Sequence, residues 1–456
     1  METVSIRDVQ MVNEGELRLV NILVRDGRIW SITPTDRRPV ADHQVEGHGA
    51  FLLPGLVDDQ VHFREPGLTH KGCIRTESRA ALRGGVTSFM EMPNTSPPTC
   101  NREAWEWKMG VGARDSAVNY SFYMGANGNN LGDLLEADYR QIPGVKIFMG
   151  SSTGELLVDQ PEILRELYCK MHQHHPGVPI ALHCENDKVI AKAAHDYALT
   201  MPKEQWTAAD HPRIRNHEGC YASSRLAREL AEACQADIHI LHLTTAQEVA
   251  DIKEYKGSTS IGLGKFRPIT TEACVHHLWF DESDYERLGN RIKWNPAIKS
   301  AADRQALLEA VRDGWIDVVA TDHAPHTHDE KSKAYHEAPS GGPLLQHSLL
   351  MMWDLAMRGH FTMERVVESM CHAPALRFGV HERGFLREGY AADLVLLEGK
   401  PLRVDASDLE YACGWSPLEG ETFSHSVRGV WVNGQTGYLD QEWGCKNAGR
   451  PLLFNR

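Results

Sequence analysis

The residues with the clearest chemical potential are Gln60, His62 and Arg64, which lie in one short segment. In an extended strand, side chains two positions apart share a face, so these three point the same way. A His-x-His pair at this spacing could bind one metal ion, whereas this chain offers an amide, an imidazole and a guanidinium. The guanidinium suits a planar, two-point contact with a carboxylate. The segment therefore predicts a metal site with one altered ligand position, beside a position for an anion.

Two further histidines lie on apolar strand candidates, His183 in Ala-Leu-His-Cys-Glu and His242 in His-Ile-Leu-His-Leu-Thr-Thr. An imidazole without a partner would be costly there, so we interpret both as metal ligands. His62 alone would more often be a hydrogen-bonded core residue, but the other candidates favour a ligand. His239 precedes His242 by three residues, so we predict that it faces the other side of the strand and is structural.

Lys146, in Gly-Val-Lys-Ile-Phe-Met-Gly, lies within an apolar strand candidate, where a lysine rarely stays charged and unpaired. It could form a buried salt bridge. Alternatively, desolvation could keep the amine neutral, so that it reacts with carbon dioxide to give an anionic carbamate that bridges two metal ions. The sequence leaves both interpretations open.

Asp322, in Ala-Thr-Asp-His-Ala-Pro-His, follows another apolar strand candidate. There a carboxylate could bind metal and carry a proton, although Asp is also a common helix N-cap. Pro325 and the polar run 327–333 favour a loop over a helix, and such a loop could act as a lid. We therefore favour a catalytic position for Asp322.

Eight short apolar segments alternate with helical patterns between Pro54 and about Gly384. This alternation predicts an α/β fold, a (β/α)8 barrel, whose active site gathers at the carboxyl ends of the strands. The polar candidates follow that rule, because each lies in or just after one of these segments. The predicted strands are Leu56 to His62, Val86 to Met92, Val118 to Met124, Val145 to Met149, Ile180 to Cys184, Asp237 to Leu243, Pro268 to His276 and Ile316 to Thr321.

Both ends of the chain have the residue pattern of short strands and hairpins, with turns at Asp26-Gly27 and Asn433-Gly434. We therefore predict one small β-sandwich-like domain from residues 1–53 and 385–456, and a barrel from residues 54–384.

Composition narrows the functional class. The chain has 456 residues and a net charge of -14, with no basic stripe, so we expect no nucleic-acid partner and a local cationic pocket for any anionic substrate.

No apolar run reaches the ~18 residues of a membrane span, and the first ten residues lack the apolar core of a signal peptide. We expect no membrane association and a cytoplasmic location. The ten cysteines contain no Cys-x-x-Cys pair and are predicted to be reduced thiols.

Seven motifs in this order resemble the dihydroorotase family of the cyclic amidohydrolase superfamily: HFREPG, MPNTSPPT, KIFMGSSTG, LHCE, HILHLT, NPAIK and ATDHAPH. The resemblance implies a metal-dependent barrel with a small β domain built from both termini. It also implies one or two zinc ions, a carboxylated Lys146 and a homodimer. The metal set that it implies is His62, Lys146, His183, His242 and Asp322, and the substrate-carboxylate set is Arg64, Asn94 and His326.

The implied reaction is the reversible ring opening of dihydroorotate to N-carbamoyl-aspartate in pyrimidine synthesis, with Asp322 as the proton carrier. One alternative is an allantoinase-like or dihydropyrimidinase-like enzyme, whose substrates lack the ring carboxylate that Arg64 would bind. A second alternative is a catalytically silent scaffold, motivated by Gln60, although a decayed site should have lost several groups. Ser340 to Pro343 could form a backbone wall near the substrate or a plain turn, and we assign it no role.

Gln60 provides the first test, because the family usually has histidine at its position. An amide oxygen is a weaker zinc ligand than an imidazole, so we expect Gln60→His to increase bound zinc by up to about one ion per chain. We expect the parent to remain active. Metal analysis and turnover of both proteins provide the measurement, and equal zinc content with equal rates would show that the substitution is immaterial.

Overall fold

The computed structural model describes residues 3–151, 156–257 and 268–456. The last three residues of the KIFMGSSTG motif, 152–154, lie outside the described residues. None of the described helices has the length and apolar character needed to cross a bilayer. The chain begins with five strands: β1 (Thr3–Asn13), β2 (Glu16–Arg25), β3 (Arg28–Thr33), β4 (His43–Glu46) and β5 (Phe51–Pro54).

The middle of the chain forms a closed parallel barrel, and each of the eight predicted strands is present. The third strand is interrupted at Tyr123, which gives two short pieces. The barrel closes where the amide of His62 donates to the carbonyl of His323 at 2.7 Å. This confirms the predicted fold class. The barrel strands are β6 (Leu56–Val61), β7 (Val86–Glu91), β8 (Asn119–Phe122), β9 (Met124–Gly125), β10 (Val145–Phe148), β11 (Ile180–His183), β12 (Ile238–Ile240), β13 (Ile269–Cys274) and β14 (Val318–Ala320).

Amphipathic helices cover the outside of the barrel. For example, α4 buries Leu164, Leu167, Tyr168 and Met171 at helical spacing against the large core. The helices are α1 (Ile74–Arg83), α2 (Arg102–Asp115), α3 (Leu131–Glu136), α4 (Pro161–His174), α5 (Asp187–Ala198), α6 (His211–Ile214), α7 (His217–Cys234), α8 (Ala246–Lys256), α9 (Val275–Trp279), α10 (Tyr285–Leu288), α11 (Ala301–Arg312), α12 (His328–Lys331), α13 (Ser348–Met357), α14 (Met363–Val367) and α15 (Ala373–Phe378).

Two local predictions are wrong. The polar run 327–333, predicted as a loop, contains the helical turn α12, because Thr327 and Glu330 form a reciprocal capping box. Cys169 and Cys234, predicted as thiols, form a disulfide between α4 and α7. Their helices pack side by side, which brings together two cysteines 65 positions apart in the chain.

The two ends of the chain form one nine-stranded sheet. Strand β15 pairs antiparallel with β5 and β18, so the carboxyl-terminal strands extend the sheet that the amino-terminal hairpins begin. A separate core of buried side chains lies on this sheet, and it includes Ile6, Ile22, Leu394 and Trp431. The remaining strands are β15 (Leu394–Glu398), β16 (Leu402–Arg403), β17 (Thr422–Phe423), β18 (Ser426–Val432), β19 (Gln435–Leu439) and β20 (Glu442–Trp443).

Asp393 joins this sheet to the barrel. Its carboxylate accepts hydrogen bonds from the Asn119 side chain at 3.1 Å and from the Asn433 amide at 2.7 Å, and it forms an ion pair with Arg383. The carboxylate is 3% exposed and the guanidinium 11%, so the pair is shielded from water. Removing one partner of a buried ion pair is strongly destabilising, because the other charge stays buried without compensation.

We expect Asp393→Ala to lower the free energy of unfolding by about 3–5 kcal/mol, because it removes the charge partner of the buried Arg383 guanidinium and the acceptor of the Asn433 backbone amide. Asp440→Ala is the matched control, since Asp440 pairs with Arg428 but is 58% exposed. It should cost less than about 1 kcal/mol. Urea unfolding provides the measurement, and equal losses in the two variants would contradict the assigned role of Asp393.

Candidate active site

A cavity of about 330 Å³ opens at the carboxyl ends of the barrel strands. The predicted residues that line it are His62, Arg64, Asn94, Lys146, His183, Asp322 and His326. His242 lies just behind the cavity surface, with its ring centroid 4.6 Å from that of His183. The structure therefore brings all eight predicted site residues together, although they come from six different strands or the loops after them.

Three of these residues have backbone conformations that are uncommon for their type. Arg64, His242 and Asp322 have φ angles of 72°, 40° and 47°, in the left-handed region. Such conformations cost about 1–3 kcal/mol each and persist only where the surroundings fix them. They turn the chain at the ends of the strands, so that Arg64 and Asp322 line the cavity and His242 lies beside His183.

His62 is oriented as a metal ligand would be. Its Nδ1 lies 2.7 Å from Asn94 Oδ1, and because a carbonyl oxygen only accepts, Nδ1 carries the proton. Nε2 then presents a lone pair to Asp322 Oδ1 at 3.1 Å. Burial lowers the pKa of His62, which keeps the ring neutral. Two acceptor atoms that face each other at this distance fit a cation held between them.

Gln60 holds Asp322. Its Nε2 donates to Asp322 Oδ1 at 3.1 Å, while its Oε1 lies 3.6 Å from the Cys274 sulfur, whose single proton is nearer to Glu272 Oε1 at 3.4 Å. Because the amide nitrogen faces Asp322, the amide oxygen, which is the only atom of this side chain suited to bind zinc, faces Cys274. The geometry gives Gln60 the task of orienting the carboxylate.

A charged network that the sequence analysis missed positions His183. His183 Nε2 lies 3.0 Å from Glu185 Oε2, which leaves Nδ1 as the nitrogen able to bind a metal ion. Arg215 donates to the same oxygen at 2.6 Å, as does Ser151. Although burial disfavours its charge, Arg215 and His183 hold the pKa of Glu185 well below its usual value. The carboxylate two residues after His183 was visible in the sequence, but Arg215 is too distant in sequence to be connected with it.

Lys146 is 1% exposed, and its Nζ has no hydrogen-bond partner among the described residues. The structure therefore does not show the buried salt bridge that the sequence left open. Burial lowers the pKa of its ammonium group to about 7, so a large fraction of the amine is neutral at physiological pH. A neutral amine is the form that reacts with carbon dioxide.

Cationic and neutral donors form one wall of the cavity. Arg64 Nη2 lies 3.0 Å from His326 Nε2, and Lys71 Nζ donates to His326 Nδ1 at 3.1 Å. Burial, together with Arg64 and Lys71, holds the pKa of His326 well below its usual value. The guanidinium of Arg64 is 7% exposed, so an anion bound there would be shielded from water. The sequence analysis missed Lys71, because the neighbouring residues in the chain form no apolar strand pattern that would place it at the end of a strand.

Ser340 and Gly341, from the segment 340–343 to which the sequence analysis assigned no role, form a backbone wall of the cavity together with Pro339. Lys331 Nζ donates to the carbonyls of Pro339 at 2.9 Å and Gly341 at 2.7 Å. The amide of Gly341 donates to the Lys293 carbonyl at 2.8 Å. The wall is therefore held by a buried lysine from α12, the turn that was predicted as a loop.

The donor set fits a divalent metal ion. His62 and His183 each present an oriented imidazole nitrogen. Burial holds the pKa of His242 well below its usual value, so its ring is neutral. Asp322 adds a carboxylate to these nitrogen ligands. The orphaned amine of Lys146 becomes a further anionic ligand if it is carboxylated. Such N and O ligands are those that zinc takes in hydrolytic sites.

Comparisons with known proteins agree with this geometry. Residues 51–437 match the amidohydrolase family. A dihydroorotase of Halobacterium salinarum is 34% identical over 81% of this chain and 82% of that protein. An allantoinase of Solibacter usitatus is 30% identical over 98% of this chain and 96% of that protein. The solved L-hydantoinase (dihydropyrimidinase) of Arthrobacter aurescens superposes with a TM-score of 0.91 at 25% identity, covering 99% of this chain and 100% of that one.

The chain belongs to the amidohydrolase family. It is a hydrolase that acts on a small molecule, and its relatives place it among the cyclic amidohydrolases.

Glu185→Gln tests the network around His183. The variant keeps the shape but removes the charge that orients the ring, so we expect metal affinity to fall about 10- to 100-fold. Chelator competition followed by metal analysis provides the measurement. Glu162→Gln, at an exposed position on α4, is the control and should bind metal as the parent does. Unchanged affinity in Glu185→Gln would remove Glu185 from the metal site.

Proposed function

We propose that this enzyme interconverts dihydroorotate and N-carbamoyl-aspartate, as a zinc-dependent dihydroorotase of pyrimidine synthesis. The observation that carries the proposal is the buried guanidinium of Arg64, which faces the same cavity as Asp322 and Lys146. A guanidinium in a shielded cavity of an acidic protein is suited to a substrate carboxylate. Dihydroorotate has a ring carboxylate in addition to the amide that is hydrolysed.

The residues that would hold zinc are His62, His183, His242, Asp322 and, after carboxylation, Lys146. Zinc supplies a water of lowered pKa and polarises the carbonyl oxygen of the ring amide.

Asp322 would move the proton. Its Oδ1 is held by Gln60 and faces His62, while Oδ2 has no hydrogen bond to any described residue. Oδ2 is therefore the atom to take the proton from the attacking water and to deliver it to the leaving ring nitrogen. Because ring closure is the reverse, the same carboxylate would remove the proton from the carbamoyl nitrogen.

Arg64, His326 and Asn94 would bind the carboxylate of the substrate. Arg64 would donate two parallel hydrogen bonds, and the Pro325 carbonyl, which accepts from Arg64 Nε at 3.0 Å, fixes the position of the guanidinium. Asn94 has a second task that the sequence analysis missed, because its Oδ1 already orients His62. Its amide nitrogen remains the group for the substrate.

The second candidate is an allantoinase-like activity, which the Solibacter usitatus relative favours. Both reactions open a ring amide with the same catalytic groups, so the metal site does not separate them. The buried guanidinium favours the substrate with a carboxylate. We also propose a cytoplasmic location and a homodimer, for which the support is the metabolic role of the relatives and the family resemblance.

The direct test measures hydrolysis of dihydroorotate, allantoin and dihydrouracil by the purified enzyme, after chelation and again after addition of zinc in bicarbonate. We expect chelation to abolish activity and zinc to restore it, with dihydroorotate the preferred substrate. Preference for allantoin or dihydrouracil by the zinc-loaded enzyme would replace the proposed substrate.

The variant Arg64→Met tests whether Arg64 binds the carboxylate of the substrate. Loss of a hydrogen bond to a charged group should lower kcat/KM for dihydroorotate about 10- to 100-fold, whereas turnover of dihydrouracil, which has no carboxylate, should change little. Arg75→Met is the control at an exposed position of α1. Equal losses on both substrates would mean that Arg64 supports the structure of the cavity and does not bind the carboxylate.

A further inference from the structure

A second group of ligating side chains lies inside the barrel, behind the catalytic residues. Asp59, His239 and Glu272 come from β6, β12 and β13, and each is 0% exposed. Ile238 and Ile240 on either side of His239 pack into the core beneath the helices, so by alternation His239 points into the barrel. None of the three lines the catalytic cavity.

Four atoms of this cluster have no hydrogen-bond partner among the described residues: both carboxylate oxygens of Asp59, Nε2 of His239 and Oε2 of Glu272. Nevertheless they converge. His239 Nε2 lies 3.2 Å from Asp59 Oδ2 and 3.7 Å from Glu272 Oε2. Buried polar atoms are almost always hydrogen-bonded, so three orphaned atoms from three strands that meet at one point indicate a missing occupant.

The protonation of His239 supports a cation as that occupant. The Thr270 hydroxyl donates to the Ile238 carbonyl at 3.3 Å, so its oxygen accepts from His239 Nδ1 at 2.8 Å. In the neutral ring, Nε2 then carries a lone pair, which faces the carboxylates of Asp59 and Glu272. A divalent cation would balance the two negative charges and use the lone pair.

The distances also fit. Ligand atoms about 2.0–2.2 Å from one tetrahedral zinc ion lie about 3.3–3.6 Å apart. The two separations from His239 Nε2, 3.2 and 3.7 Å, bracket that range. One imidazole with carboxylate oxygens is a donor set that zinc and manganese both accept.

Glu272 connects the cluster to the active site. Its other oxygen, Oε1, accepts from the His242 amide at 3.2 Å and from the Cys274 thiol at 3.4 Å. A cation on Oε2 would therefore fix the carboxylate that holds the turn at His242. A different group, Cys274 with His276 and His277, is less suited to a metal ion, because its sulfur is a donor and His276 stacks on Trp294 at 4.4 Å.

From this geometry we propose that Asp59, His239 and Glu272 bind one divalent transition-metal ion, zinc or manganese, at a structural site separate from the catalytic centre. The competing occupant is a second proton on His239. Although burial disfavours the charged ring, Asp59 and Glu272 raise the pKa of His239, so only a direct measurement of the occupant separates this proton from a metal ion.

The first measurement is anomalous scattering from crystals of the parent enzyme dialysed against zinc chloride, and separately against manganese chloride, recorded at the absorption edge of each metal. We expect a peak among Asp59, His239 and Glu272, in addition to those at the catalytic residues. A map with catalytic peaks and no peak at this cluster overturns the proposal and indicates that the occupant is the second proton on His239. The experiment needs no variant and no turnover, so its result is independent of the proposed substrate.

The second measurement counts metal ions in Asp59→Asn. The variant keeps the side-chain shape and removes one charge, and we expect it to retain about one ion per chain fewer than the parent after dialysis. Asp58→Asn is the matched control: Asp58 is also buried but accepts from the Thr321 hydroxyl at 2.6 Å, outside the cluster. It should retain the metal count of the parent. An unchanged count in Asp59→Asn refutes the proposal.

Discussion

The structure depends on the cost of placing charge inside a closed barrel. Lys146, Asp322, Arg64, Glu185 and Glu272 are each less than 9% exposed, in an interior where an unpaired charge is expensive. Each is therefore tied to a partner or left neutral. Glu185 has Arg215, Asp322 has Gln60, and Lys146 has lost much of its charge. The chemistry follows from this constraint, because a desolvated amine reacts with carbon dioxide and a desolvated guanidinium binds a carboxylate strongly.

Gln60 shows how one altered residue changes the roles of the side chains around it in such an interior. An imidazole there could have bound metal directly, whereas the amide donates to the carboxylate and its oxygen lies near a thiol. The result is a polar chain from Glu272 through Cys274 and Gln60 to Asp322. Substituting one member would disturb the others, since hydrogen-bonded residues in contact do not contribute additively to stability.

The fold was predictable because alternating apolar strands and amphipathic helices are local patterns, and all eight strands were located within a few residues. The convergence of the candidate site residues was also predictable, since the barrel brings strand ends together whatever their separation in sequence. Arg215, Lys71 and Lys331 were not, because they act through contacts that only the folded chain creates. The turn α12 was missed for a different reason: the polar run around Pro325 outweighed the capping pair Thr327 and Glu330. The prediction that His239 faces away from His242 was wrong, because the left-handed backbone at His242 breaks the alternation of the strand; His239 points into the barrel, where its partners Asp59 and Glu272 lie on other strands.

The pairing of β5 with β15 has a consequence for biosynthesis. Phe51 to Pro54 leave the ribosome early, but their partner strand is made about 340 residues later, which at 5–20 residues per second is about 17–70 seconds. Until then the amino-terminal hairpins present an unpaired strand edge and an uncovered apolar face. Such edges are prone to pair with other chains. The nascent chain is thus most vulnerable to aggregation in the interval before its last strands emerge, and a chaperone that shields strand edges would act in that interval.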